Sequence, residues 1–262
     1  ALGQTYKNFE LLIWDDASKD NTRKIVQSFN DKRIKLFKNS KHLGLGASRC
    51  KAQNKINGDL VAILDADDVM ISDRIEKQVN EFIANKKLAL VGSWIKFKNT
   101  KGEIIPKKFF EVSDEKIKEN MVWRNIFAHS SIMYKKENAK KIGWYSNMLE
   151  YAQDYDLSIR LIKDHDCKIL PEYLTFITTR KESMTSIKKF KKRRIQENLY
   201  ILKKCKSQIK MNKRLFFLNS RSIKMNELKL KLTQNLNILK KFFYIIKTLI
   251  QFPSLIHLHF LK

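Results

Sequence analysis

The sequence predicts an α/β fold, a Rossmann-like mixed sheet flanked by helices, followed by a basic α-helical carboxyl-terminal extension. Three observations carry this expectation. Strand and helix patterns alternate through the first third of the chain. An unbroken apolar run, Leu60-Val61-Ala62-Ile63-Leu64, ends abruptly in Asp65-Ala66-Asp67-Asp68, as a short buried strand does at the sheet edge where ligands bind. The charge is also lopsided. The formal net charge is +26, and from Lys188 onward twenty Lys and Arg face only Glu197 and Glu227, a balance of about +18.

Taken in order, Phe9 to Trp14 is predicted as a buried strand. It ends in Asp15-Asp16-Ala17-Ser18-Lys19-Asp20-Asn21-Thr22, a loop in which Asp20 or Asn21 caps a helix carrying Ile25, Val26 and Phe29. Arg33 to Phe37 is a second strand. Gly44-Leu45-Gly46-Ala47-Ser48 opens a helix that ends near Asn57-Gly58, and the strand into the acidic tetrad follows. Asp73 and Glu76 stand at capping-box spacing before a helix whose apolar stripe is Ile75, Val79, Phe82 and Ile83. Leu88 to Trp94 is a strand, Thr100-Lys101-Gly102-Glu103 a hairpin turn, Ser130 to Tyr134 a short strand and Tyr155 to Ile162 a helix. Lys168 to Ile177 is a strand with Pro171 near its start. No internal repeat is visible.

Composition limits the function classes. With 262 residues, 43% of them hydrophobic and 11% aromatic, the chain can bury a core, and three Pro and seven Gly exclude a linker-rich protein. Cys50, Cys167 and Cys205 are scattered and unpaired in spacing, which fits neither a disulfide framework nor a zinc site and suits a reducing compartment. Ala1-Leu2-Gly3-Gln4 is neither an initiator Met nor a signal peptide. The expectation is an amino-terminally truncated chain. No apolar run reaches the roughly eighteen residues of a membrane span.

Three carboxylates at one strand end repel one another unless a cation or cationic partner sits among them. The tetrad therefore suggests a divalent metal site that holds a phosphorylated ligand.

Several separated motifs then agree with one family. They are Gln4 to Glu10, Asp15 to Thr22, Gly44 to Arg49, Leu64 to Asp68, His129 to Met133, and Asp154-Tyr155-Asp156-Leu157 before Arg160-Leu161. In order and spacing the chain resembles the family-2 glycosyltransferases over residues 1–186. The resemblance implies the GT-A fold and inverting sugar transfer from a nucleotide donor. It also implies a missing strand and most of a helix before Gln4, and a domain division into residues 1–186 and a basic tail, 187–262.

The resemblance further implies the site. Transfer from a nucleotide diphosphate needs charge neutralisation on the leaving group, supplied by Mn²⁺ or Mg²⁺ on hard carboxylates. Asp67 is expected to bind the metal, and Asp65 to touch the metal or the donor ribose. Asp68 orients the site or caps the next segment. Asp16 is expected to accept from the nucleobase, a carboxylate suiting uracil, with Asp15 in support. Lys41 and Arg49 are expected at the diphosphate, or else as surface residues. Asp154 is expected to be the general base for an acceptor hydroxyl, a role compatible with capping its helix. His129 has no second ligand at metal spacing and suits a packed, hydrogen-bonded position.

In the tail, Asn237, Lys240, Lys241, Tyr244, Lys247, Thr248 and Gln251 fall on one side of a helix. Leu239, Phe242, Phe243, Ile246, Leu249 and Ile250 fall on the other. This pattern suits an anionic membrane surface or docking on the catalytic domain. The expected partners are thus a UDP-sugar donor, a glycan or lipid-linked acceptor and an anionic membrane, with the protein at the inner face of the membrane on the cytoplasmic side. A nucleic-acid-binding protein would also use such charge, but no recognition helix, RNP motif or zinc module is present, so nucleic acid is not expected. A catalytically silent binding relative is the third reading.

Overall fold

The computed structural model describes residues 1–107, 113–180, 188–208, 211–233, 240–241 and 244–245. Two compact units result: residues 1–117 with 127–179, and residues 118–126 with 180–262.

The first unit is a mixed α/β structure. β1 (Leu11–Asp15) and β2 (Ile34–Lys38) pair in parallel as a sheet of their own, Leu11 opposite Ile34 and Asp15 opposite Lys38, joined through α1 (Thr22–Ser28). After α2 (Leu45–Ala52) and a 3₁₀ turn come β3 (Leu60–Ala62), β4 (Val69–Met70), α3 (Arg74–Ala84), β5 (Leu88–Asn99) and β6 (Ile104–Lys107). Then follow α4 (Asp114–Met121), β7 (Met133–Lys135), α5 (Lys136–Lys141), α6 (Gln153–Ile162) and β8 (Asp166–Thr179). The second sheet runs β3-β7-β5-β8-β4, with β6 on β5. Only the β5–β8 pair in it is parallel.

Burial explains α3. Ile75, Val79 and Phe82 are buried with Leu88 and Val91 of β5, Met133 of β7, and Leu170 and Leu174 of β8, and Tyr6, Leu60 and Met70 pack on them. At roughly 1.5–3 kcal/mol for each large side chain, this cluster is a principal source of stability.

Several details differ from the sequence expectations. Leu11 to Trp14 are half-buried rather than buried, and Ile83, expected on the apolar stripe of α3, is exposed. The apolar run before the tetrad is strand only at Leu60–Ala62 and is half-buried to exposed, because β3 ends the sheet and pairs with β7 alone. The Asp73–Glu76 capping box does not form: Asp73 makes no side-chain cap and pairs with Lys77 at 2.8 Å, while Glu76 accepts from Thr5 at 2.6 Å. Ser130 and Ser131 lie in a 3₁₀ turn, with the strand starting at Met133. β8 takes Pro171 by slipping register, from Ser93 opposite Leu170 to Trp94 opposite Tyr173, the bulge that a residue without an N–H requires. Elsewhere Asp20 caps α1 by accepting from the Thr22 amide at 3.0 Å, and Gly102 at φ 85° turns the β5–β6 hairpin.

The second unit contains α7 (Lys188–Gln208) and α8 (Lys213–Leu232). Asn212 caps α8, accepting from Leu215 at 2.9 Å. Asn219 is fully buried and donates to the carbonyls of Leu202 at 3.0 Å and Val122 at 2.6 Å. The acids are engaged: Glu197 with Arg193 at 2.9 Å, Glu227 with Lys203 at 3.3 Å and Lys224 at 3.4 Å. Of the expected tail amphipathic helix, all but Lys240, Lys241, Tyr244 and Ile245 lies outside the described residues. Among the described residues no helix is long and apolar enough to cross a membrane. None of the three cysteines is in a disulfide; Cys167 and Cys205 are buried and Cys50 is half-buried.

Candidate active site

The site is built where β1, β3 and α6 end or begin, and α2 links its acidic loops. At the end of β1, Asp15 is buried. One carboxylate oxygen accepts from the Ser18 amide at 3.0 Å, and the other has the Arg23 guanidinium 3.4 Å away. This turn places Ala17 at φ 62°.

Asp16 next to it accepts from the Leu43 amide at 2.9 Å, the Gly44 amide at 2.8 Å and the Asn39 side chain at 2.7 Å, with His42 at 2.9 Å. Burial alone would raise its pKa, but the Leu43, Asn39 and Gly44 hydrogen bonds outweigh it and hold the carboxyl below its ordinary value. Gly44 has φ 86° and ψ 164°, a conformation open essentially to glycine. Lys41 is exposed on the same loop. Asn39, buried at the end of β2, also donates to Ser48 at 2.9 Å and accepts from Trp14 at 3.2 Å.

One turn into α2, Arg49 Nη2 lies 3.1 Å from Asp65 Oδ1 and 3.1 Å from His129 Nδ1. The tetrad is thereby drawn to α2. Burial would raise the Asp65 pKa, yet His129, Arg49 and Ser130 carry it well below the carboxylate range. The Asp65 amide donates to the Ser130 hydroxyl at 3.1 Å. Asp67 is exposed, and its carbonyl accepts from the Thr178 hydroxyl. Asp68 accepts from the Thr178 amide at 2.8 Å. Burial pushes its pKa up, with the charges of Asp65 and Asp67 adding to the rise against hydrogen bonds from Ser130 and Thr178.

Beneath the tetrad lies Arg74, fully buried. It donates to Gln78 at 3.0 Å and to the carbonyls of Ser130 at 2.5 Å, Ile63 at 3.0 Å and Ile132 at 3.0 Å. Burial brings its pKa down to about 9. Gln4 stitches the neighbouring loop, donating to Ile71 at 2.7 Å and accepting from the Ile75 amide at 3.0 Å.

Asp154 lies in the first turn of α6 and is half-buried. Its charge is felt by both His129 and Tyr145. Gly46 of α2 packs against the start of α6: a Cβ there would overlap Gln153 and come 3.1 Å from the Leu149 carbonyl.

The structure thus brings Arg49 to the Asp65–Asp68 loop, packs α2 on the start of α6 through Gly46, and joins Asp16 to them through α2. Asn39, Arg74, Ser130 and Tyr145 were not singled out from sequence. The donor set suits a hard divalent cation: an exposed Asp67 and an Asp65 whose side chain is 44% exposed share one loop. The Asp68 pKa is raised mainly by burial, with a smaller contribution from the Asp65 and Asp67 charges. Among the described residues no three His, Cys, Asp or Glu side chains stand ready to hold a metal ion, so a cation here would draw further ligands from phosphate and water.

Comparison with known proteins gives a consistent picture. The family model described as Glycosyl transferase family 2 matches residues 1–149. An uncharacterized glycosyltransferase of Methanocaldococcus jannaschii is 35% identical over 198 residues, covering 72% of this chain and 67% of that protein. The UDP-Glc:alpha-D-GlcNAc-diphosphoundecaprenol beta-1,3-glucosyltransferase WfgD of Escherichia coli is 32% identical over 165 residues, 63% of this chain and 62% of that protein. Staphylococcus aureus TarS 1-349 in complex with UDP aligns with a TM-score of 0.64 at 16% identity, over 87% of this chain and 64% of that one. The mannosyltransferase PcManGT of Pyrobaculum calidifontis, in complex with GDP-Man and Mn²⁺, aligns with a TM-score of 0.64 at 16% identity, over 88% and 66%. The matched part therefore spans about two thirds of these relatives' length. The structural likenesses show the GT-A fold that the sequence resemblance implied.

Proposed function

The chain belongs to glycosyl transferase family 2, and we propose that it is an inverting enzyme taking a sugar from a UDP-sugar to a glycan or lipid-linked acceptor in cell-surface polysaccharide or lipopolysaccharide synthesis. The observation that carries this reading is the Arg49–Asp65 pairing at the acidic loop, with α2 packed through Gly46 on the start of α6, where Asp154 stands. A cation and a carboxylate loop suit a metal-bridged diphosphate, and a separate carboxylate suits proton removal from the acceptor.

In this reading Asp67 and Asp65 would hold Mn²⁺ or Mg²⁺, which would supply charge neutralisation for the departing diphosphate. Arg49 and Lys41 meet the diphosphate oxygens. Asp15 and Asp16 form the nucleobase end. Since Asp16 already accepts from the Leu43 and Gly44 amides, it serves the nucleobase end chiefly by fixing that loop. Asp154 takes the proton of the attacking hydroxyl, and in-line attack inverts the anomeric centre. Support for donor and acceptor classes comes from relatives: TarS structures hold UDP and UDP-GlcNAc, and WfgD acts on a diphosphoundecaprenol-linked acceptor.

The basic second unit is the proposed membrane-facing part, at the inner face. Phe216 and Phe217 are each 49% exposed there amid lysines and arginines, the amphipathic composition of an interfacial surface.

The test is turnover of UDP-sugars with Mn²⁺ and a polyprenyl-diphosphate acceptor. Asp154→Asn is expected to abolish transfer while calorimetric UDP binding persists. Turnover at the wild-type rate in Asp154→Asn removes that residue from the mechanism.

A further inference from the structure

His129 lies at the centre of a buried chain that begins at Arg49, and the transfer chemistry above gives the imidazole itself no role. Its side chain is only 8% exposed. Nδ1 is 3.1 Å from Arg49 Nη2 and Nε2 is 2.9 Å from the Tyr145 hydroxyl. Tyr145 is itself hydrogen-bonded to Tyr134, which is 1% exposed. The Arg49 guanidinium also sits 5.6 Å above the Tyr145 ring.

Donor and acceptor chemistry fixes the protons. Asp65 Oδ1 stands 3.8 Å from Nδ1, beyond hydrogen-bond reach, while the Arg49 guanidinium, which only donates, is at 3.1 Å; Nδ1 therefore accepts, and the ring proton resides on Nε2 and is given to Tyr145. The Tyr145 oxygen is positioned by its loop: Gly143 at φ 78° and Trp144 at φ 57° turn the chain. Arg160 of α6 donates to the carbonyls of Ile142 and Trp144, each at 2.6 Å, while paired with Asp156 at 2.6 Å. A left-handed Trp costs about 1 kcal/mol or more and persists only where its surroundings over-determine it. Both ends of the imidazole are therefore held.

We propose that His129 is a positioning residue for the donor diphosphate. As the neutral Nε2–H tautomer, it and Asp65 grip one edge of Arg49 and leave the rest of the guanidinium aimed at the phosphates. A guanidinium fixed before the ligand arrives loses less side-chain entropy on binding, so its hydrogen bonds to phosphate count more fully. The inference rests on the reading of Arg49 as a diphosphate partner.

The experiment compares UDP and UMP binding by calorimetry with Mn²⁺, in wild type, His129→Leu, His129→Asn and His129→Gln, with melting temperatures alongside. The Asn amide oxygen overlays Nδ1 and still accepts from Arg49, whereas the Gln amide overlays Nε2 and serves only Tyr145. His129→Leu and His129→Gln are expected to lose about tenfold in preference for UDP over UMP, the loss of one charge-assisted hydrogen bond's worth of orientation. His129→Asn is expected to keep it. A purely structural role would lower melting temperature in all three and leave the UDP:UMP ratio alone, which overturns the inference. Imidazole ¹⁵N shifts of the wild type supply a ligand-free arm: a protonated Nδ1 overturns the assigned tautomer and the inference with it. A wild type that does not prefer UDP to UMP overturns the diphosphate role of Arg49 instead.

Discussion

At the residue scale, the site depends on buried polar side chains whose partners are far away in sequence. Arg74 is the clearest. It ties three carbonyls from two segments, Ile63 on one and Ser130 and Ile132 on the other. Arg74→Leu would leave buried acceptors unmatched, at about 1–3 kcal/mol each. Denaturant unfolding is expected to show a loss of about 3 kcal/mol or more, and Arg74→Lys to recover only part of it, since an ammonium cannot reproduce the planar fork. Gly46 tests a different dependence. Its missing Cβ is where Gln153 packs, and Gln153 immediately precedes Asp154 at the start of α6. Gly46→Ala is expected to lower kcat on the order of tenfold to a hundredfold, with a smaller change in UDP affinity. Steady-state kinetics beside calorimetry check the split. The tetrad was legible because charge next to an apolar run is conspicuous, whereas Asp16 and Arg49 came from the family resemblance. Arg74, Asn39, Ser130 and Tyr145 were not. A helix-start arginine or a lone serine looks like surface until the sheet brings its partners to it.

At the element scale, α3 and β5 were readable from apolar pattern because burial dictates those residues, while β1 kept its strand pattern although Leu11 to Trp14 are only half-buried. Boundaries that depend on pairing were not. β3 is shorter than its apolar run since it has one neighbour, and the two-residue β4 has no pattern of its own. The link between β1, β2 and the turn before β3 is one carboxylate. Glu10 accepts from Lys35 at 2.6 Å, from the Asn57 amide at 2.6 Å and side chain at 3.0 Å, and from the Gly58 amide at 3.3 Å. Burial would raise its pKa, but these bonds lower it from 4.5 to about 2. A carboxyl depressed on folding contributes stability above its unfolded pKa and loses it as pH falls through the folded one. Stability is therefore expected to decline from about pH 4.5 down to about 2, by on the order of 1 kcal/mol after solvent screening. Glu10→Gln is expected to be less stable at neutral pH and to flatten this acid limb. Thermal melts at stepped pH provide the measurement.

At the scale of the whole molecule, the chain divides chemically as well as structurally. Most of the excess charge lies from Lys188 onward, and both acids of that stretch are already paired within it. Truncation after Ser186 is expected to abolish co-sedimentation with vesicles containing anionic lipid. Full-length binding should weaken steeply as salt rises, because counterion screening acts on surface charge. Equal sedimentation of both forms would remove the tail from the membrane role. The charge was visible in the sequence. The helical pair α7–α8 and its buried Asn219 were not, since a polar residue at a fully buried position is recognisable only through the carbonyls it serves.

The thiols set the practical route to watching this event. Cys167 and Cys205 are shielded, and burial pushes the Cys50 pKa up, leaving little nucleophilic thiolate. A maleimide dye thus meets no fast native target. A Gln196→Cys substitution on the exposed side of α7 would accept one fluorophore selectively, and its emission would report docking and release in real time.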